Sequence, residues 1–202
     1  FERQLRDGEA LVAATLAEQR VLIDRLSDEW SRLASEDPLT GVANRRAFDR
    51  QLAAMTDAAN RDSRSGAVFA LAFFDLDRFK LVNDGAGHGA GDIVLKRFAD
   101  ILRAGRRGDD LVARLGGDEF AILFAGIRPG NLRGVLDKLV TSVREENWTA
   151  IHDSLRMTVS VGGVHSDELH ATQRTPASML RVADERLYAA KRNGRDRAVA
   201  GI

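Results

Sequence analysis

Two glycines followed by two acids, Gly116-Gly117-Asp118-Glu119, separate the apolar stretches Leu111-Val112-Ala113 and Phe120-Ala121-Ile122-Leu123-Phe124. Strand composition on both sides of a glycine turn predicts an antiparallel hairpin, which any fold of this chain must accommodate. Glycines at the tip permit positive φ and leave bare backbone for a ligand to approach. Two carboxylates on such a turn suit a hard divalent cation, although a plain turn carrying solubilising acids has the same composition.

The second constraint is an unbroken apolar run at residues 67–74, suited to a central strand and leading straight into Asp75-Leu76-Asp77. Helical spacing of Phe48, Leu52 and Met55 predicts a helix over 44–60, and Ile93, Leu95, Phe98, Ile101 and Leu102 predict another over 92–104. Strands near 110–115 and 119–125 follow, then a helix at 130–146, a strand at 156–164, a helix at 176–193 and a short last strand at 197–200. Helices interleaved with an antiparallel hairpin point to the α+β class: one mixed sheet with helical layers, not strict βα alternation.

Upstream, Leu5, Glu9, Val12, Leu16, Gln19, Ile23, Leu26, Trp30 and Leu33 fall at alternating four-three spacing. That is a heptad seam, which would bury its stripe against a second copy of itself or against its own domain. Pro38 ends the pattern, dividing the chain into a coiled-coil linker at 1–36 and a catalytic-sized domain at 37–202. An opening Phe1 in place of methionine leads us to expect an upstream sensor domain. Thirty basic and thirty acidic residues cancel, so bulk charge offers no case for a nucleic-acid partner. The absence of cysteine fits a reducing compartment. With no apolar run long enough to span a bilayer, the expected location is cytoplasmic.

Asp75 ends a strand, where a rigid metal ligand is best placed, and beside the hairpin it could share Mg²⁺ with Asp118 while the Leu76 carbonyl adds an oxygen. Capping or solvation accounts for Asp77. Lys80 could neutralise a triphosphate, and Asn83 with Asp92 offers the donors and acceptors that a purine edge requires. Asp92 also stands where the 92–104 helix would begin and could be its N-cap. His88, between glycines, is read as ordering its loop, and the Gly87-His88-Gly89-Ala90-Gly91 segment lacks the Gly-Lys-Ser/Thr ending of a P-loop. Arg107-Gly108-Asp109-Asp110 reads as a polar turn entering a strand.

Together these segments resemble the GGDEF family of diguanylate cyclases over residues 37–196. The resemblance rests on Asp37-Pro38-Leu39-Thr40-Gly41-Val42-Ala43-Asn44-Arg45, Phe74-Asp75-Leu76-Asp77-Arg78-Phe79-Lys80, Asn83-Asp84 with Asp92, Gly116-Gly117-Asp118-Glu119-Phe120, Ser160-Val161-Gly162, and the Lys191 and Gly194-Arg195 region. It implies a nucleotidyl-cyclase or polymerase-palm fold with a βαββαβ core and a central antiparallel sheet. The implied reaction condenses two GTP into cyclic di-GMP and two pyrophosphates. Asp75, the Leu76 carbonyl and Asp118 would bind Mg²⁺ or Mn²⁺, with Glu119 and Lys80 assisting catalysis. Gly116 and Gly117 would admit the nucleotide, Asn83 and Asp92 would read guanine, and Lys80, Lys191 and Arg195 would contact the distal phosphates. Arg107 and Asp110 would form an inhibitory site for the product. One GTP per domain cannot close a ring of two nucleotides, so a homodimer is implied. A receptor that binds GTP or cyclic di-GMP without turnover is the alternative. Ala86, Glu185, Arg186 and Asp196 depart from the usual pattern without removing a proposed ligand.

Overall fold

The computed structural model describes residues 34–61 and 68–201, with 19, 20 and 23 as isolated helical positions. Apart from Gln19 and Ile23, the heptad seam lies outside the described residues. Ile23 is exposed.

Among the described residues, six strands form one open mixed sheet. In chain order they are β1 (Ala43–Asn44), β2 (Phe69–Leu76), β3 (Leu111–Gly116), β4 (Glu119–Ala125), β5 (Val159–His165) and β6 (Arg197–Ala200), and in space they run β1-β3-β4-β2-β5-β6. The four inner strands are antiparallel, and parallel pairs β1 with β3 and β5 with β6 close the edges. Five helices among the described residues cover the sheet: α1 (Arg45–Arg61), α2 (Phe79–Ala86), α3 (His88–Ala104), α4 (Pro129–Glu145) and α5 (Pro176–Arg192). This is the expected α+β architecture, with a helical hairpin, α2 and α3, between β2 and β3.

The strand β2 is central because it is apolar on both faces. Ala70, Ala72, Phe74 and Leu76 join a core with Phe98 and Leu102 of α3 and Leu136 and Val140 of α4, while Phe69, Leu71 and Phe73 pack with Phe48 and Leu52 of α1 and Met179 and Ala183 of α5. Each fully buried Leu or Phe side chain contributes about 1.5–3 kcal/mol. Alternation along the strand then fixes the site: Asp75 and Asp77 continue the odd-numbered face, toward the C-terminal end of α5.

One expectation fails between β2 and β3. The helix predicted over 92–104 starts at His88, so Asp92 lies in its second turn and is not its N-cap. The preceding segment, read as a loop, contains a helix, and the chain reverses at Gly87 with φ 82°. Tertiary packing overrides the glycine-rich composition here. Gly91 is buried against Asn83, and a Cβ at position 91 would collide with Asn83 Oδ1. His88 is exposed as the first residue of α3.

Candidate active site at the end of the central strand

The sheet register brings the hairpin tip beside Asp75. The strands β2 and β4 pair with Asp75 opposite Glu119, and β2 and β5 with Asp75 opposite Ser160. Phe120 anchors the tip from below: it is fully buried, and its ring meets Phe98 edge-on at 4.9 Å. At the turn Gly116 has φ 150° and Gly117 φ 50°, with open space where either Cβ would stand. Glu119 is exposed and Asp118 half-buried.

Asp75 is mostly covered, and its Oδ2 lies 2.7 Å from Lys191 Nζ on the last turn of α5. Burial pushes its carboxyl above the usual range, opposed by Lys191 and reinforced by the negative charges of Asp118 and Asp77. Carboxylates that penalise one another in this way form a donor set that an oxygen-seeking divalent cation relieves. The Leu76 backbone fits too. Asp77 N–H bonds Thr158 O in the direction of β5, so the polar groups of Leu76 face the β4 side, where pairing stops at Asp75. No three His, Cys, Asp or Glu side chains converge as a metal cluster among the described residues. An ion here would therefore draw on Asp75, Asp118, the Leu76 carbonyl and oxygens of its ligand, a mode that suits Mg²⁺.

Asp77 corrects the sequence reading. It is only 6% exposed, so it is not solvated, and it caps no helix. Its Oδ1 accepts from Ser160 Oγ at 2.7 Å, and its Oδ2 from Thr158 Oγ1 at 2.7 Å and Asp196 N at 3.0 Å.

The other expected residues fall in two places. Asn83 lies near the end of α2 with its Oδ1 against Gly91, and Asp92, the next residue of α3, is exposed. Lys80, in the first turn of α2, is exposed, as is Arg195 in the turn before β6. Arg107 and Asp110 lie at the far end of the hairpin. There Asp110 is buried, its Oδ2 accepting from Arg107 N at 2.8 Å and its Oδ1 from Ala125 N at 2.9 Å, whereas the Arg107 side chain is exposed.

Sequence reasoning missed the brace under the tip. Arg114 donates to Gly117 O from Nε at 3.0 Å and Nη2 at 2.7 Å, while its Nη1 lies 3.2 Å from Asp37 Oδ1. Arg45 adds a bond to Leu115 O at 3.2 Å. Despite burial, hydrogen bonds from Thr40 and the Arg114 charge hold Asp37 below the usual carboxylate range. The available signal was an arginine two residues before the first glycine of the turn.

Residues 34–197 match the model of the diguanylate cyclase GGDEF domain. The chain is 38% identical over 180 residues to the diguanylate cyclase TpbB of Pseudomonas aeruginosa, covering 85% of this chain and 39% of TpbB. It thus spans well under half the length of that relative. Among solved structures, the coiled coil and GGDEF domain of DgcB from Caulobacter crescentus, in complex with c-di-GMP, superposes with TM-score 0.83 at 31% identity, covering 96% of this chain and 98% of that one. The diguanylate cyclase SiaD of Pseudomonas aeruginosa, in complex with its activator SiaC, gives 0.75 at 32% identity, covering 99% and 74%.

Proposed function

The chain belongs to the GGDEF family of diguanylate cyclase domains, and from that premise we propose that it condenses two GTP into cyclic di-GMP, releasing two pyrophosphates, across a two-fold pair of domains. The observation that carries this reading is the register placing Asp75, at the end of β2, beside the open Gly116-Gly117 turn with Lys191 at hand.

Each half-reaction is attack of a ribose 3′-hydroxyl on an α-phosphate, where positioning and charge neutralisation do most of the catalysis. Asp75, Asp118 and the Leu76 carbonyl would hold Mg²⁺ or Mn²⁺. When bound, such an ion lowers the pKa of the 3′-hydroxyl and stabilises the leaving pyrophosphate. Glu119, exposed at the tip, assists the hydroxyl's activation. The Gly116 and Gly117 backbone lies against the nucleotide, which a side chain at either position would obstruct. Asn83 and Asp92, on either side of the α2–α3 reversal, read the guanine edge. Lys80, Lys191 and Arg195 neutralise the distal phosphates.

One such site holds one GTP, so product forms only when a second chain presents its own tip. The heptad helix would set how often that happens, under an upstream sensor. Disrupting Leu26, Trp30 and Leu33 should lower specific activity most at low protein concentration. Product would inhibit through Arg107, whose exposed guanidinium suits phosphate or guanine edges, with Asp110 bound to the Arg107 main chain. Inhibition undiminished in Arg107→Ala would remove that part of the reading. The deciding experiment is incubation with Mg²⁺ and GTP and identification of the product by mass. Cyclic di-GMP supports the cyclase, whereas nucleotide binding without product in a demonstrated dimer favours a receptor.

A further inference from the structure

Asp77 lies two residues beyond Asp75, just past the end of β2, and Arg195 lies four residues beyond Lys191, past the end of α5. The two acids meet the two bases in order. Lys191 Nζ lies 2.7 Å from Asp75, and Arg195 Nε lies 3.9 Å from Asp77.

The two pairs differ in what the acid does. Asp77 is nine-tenths buried, and the Asp196 N–H it accepts belongs to an unusual turn. Gly194, Arg195 and Asp196 have φ of 106°, 63° and 50°, two consecutive non-glycine residues in left-handed geometry. Side chains resist that region, so the surroundings must hold the turn. Arg144 grips Asp196 through Nε to Oδ2 at 2.7 Å and Nη2 to the main-chain oxygen at 3.3 Å, and Arg197 Nε bonds Arg195 O at 2.9 Å. Asp77 supplies the bond that ties this turn to the catalytic strand. The turn, with Asp77, Arg78, Arg156 and Arg195, lines an open cleft of about 430 Å³.

We propose that Asp77 is a positioning residue: its carboxylate fixes the left-handed Arg195-Asp196 turn so that the Arg195 guanidinium is presented to the distal phosphates of GTP. The proposal rests on the phosphate role given to Arg195 above. Asp77 itself does not meet the nucleotide. Its negative charge also lies beside Arg195 and orients the guanidinium before substrate arrives.

The test is calorimetric titration of the full chain with GTP and with GMP, which keeps guanine and the α-phosphate but lacks the distal phosphates. Asp77→Ala should weaken GTP binding roughly tenfold and leave GMP within about twofold, and Arg195→Ala should do the same. The double variant should bind GTP no more weakly than Arg195→Ala alone, because both changes remove one interaction. Asp77→Asn keeps an acceptor for the Asp196 N–H and should recover most of the loss; it also serves if the alanine variant does not fold. Equal weakening of GTP and GMP in Asp77→Ala, additive losses in the double variant, or Asp77→Asn as weak as Arg195→Ala would overturn the proposal. Arg195→Ala binding GTP like the parent would overturn the phosphate role, and the positioning proposal with it. A weakened Arg195→Ala beside an unaffected Asp77→Ala overturns the positioning role alone.

Discussion

The two ends of the β3–β4 hairpin are built from the same kinds of residue, glycine, arginine and aspartate, to opposite effect. At the end entering β3, Asp110 turns inward and spends both carboxylate oxygens on the main-chain N–H groups of Arg107 and Ala125. At the Gly116-Gly117 tip the acids carry no such strap among the described residues, the Cβ directions are empty, and a brace from Arg114 grips a backbone oxygen beneath the turn. An acid consumed by the backbone stabilises the fold. An acid left beside another acid, as Asp118 is beside Asp75, raises the electrostatic energy of the fold.

The sharpest test of that contrast exchanges stability against chemistry. Asp75→Asn should lower cyclic di-GMP formation by roughly 10³-fold, since it removes an anionic ligand of the proposed Mg²⁺. Its thermal midpoint should hold or rise, because burial and two neighbouring acids penalise the native carboxylate. A variant that loses activity only in proportion to lost folded protein would place Asp75 with the structural acids.

Asp110→Ala should show the reverse. Two N–H groups bonded to a buried carboxylate lose their acceptor, costing about 3 kcal/mol in a urea denaturation series. The kcat of the remaining folded protein should stay near that of the parent. A loss under about 1 kcal/mol would mean that solvent reaches those groups and the strap is not structural.

The same contrast explains what was legible beforehand. Strand and helix periodicity reports burial, so the hairpin, β2 and the last strand, predicted at 197–200 and found at Arg197–Ala200, could be read from composition. The residues of the site could be listed because their motifs are dense, and the register showed why Asp75 and the tip are neighbours. Two things were not legible. The helix α2 and the first turn of α3 were hidden because glycine at 85, 87, 89 and 91 looks like a loop, whereas Gly91 packs against Asn83. Asp77 was misjudged because its three donors come from residues 81, 83 and 119 positions away. Long-range hydrogen bonds leave no periodic trace.

Glycine substitutions sharpen the comparison at smaller scale. Gly117→Ala places a side chain on a backbone with φ 50°, which costs about 1–2 kcal/mol of stability. Gly108, at the closed end, lacks positive φ and has open space beyond it, so Gly108→Ala should change stability by less than about 0.5 kcal/mol. Equal effects in a thermal scan would show that turn geometry does not distinguish the two ends.

The smallest expected effect concerns the brace. Asp37 meets Arg114 at 3.2 Å and Thr40 Oγ1 at 2.6 Å, and these partners hold its folded pKa below its ordinary value of 3.8 despite burial. The unfolded chain then binds more protons than the native one in that window, so stability increases with pH there. The contribution is fully present above pH 3.8 and is lost as pH falls through the lowered folded value. For a partly exposed pair it amounts to about 1 kcal/mol. Asp37→Asn should therefore lower stability near pH 7 by that amount, and its deficit should shrink on acidification below pH 4. Equilibrium denaturation at a series of pH values checks this: a deficit constant from pH 7 to pH 3 would mean that Asp37 braces the tip through shape alone, with Arg114 held to Gly117 by its own two bonds.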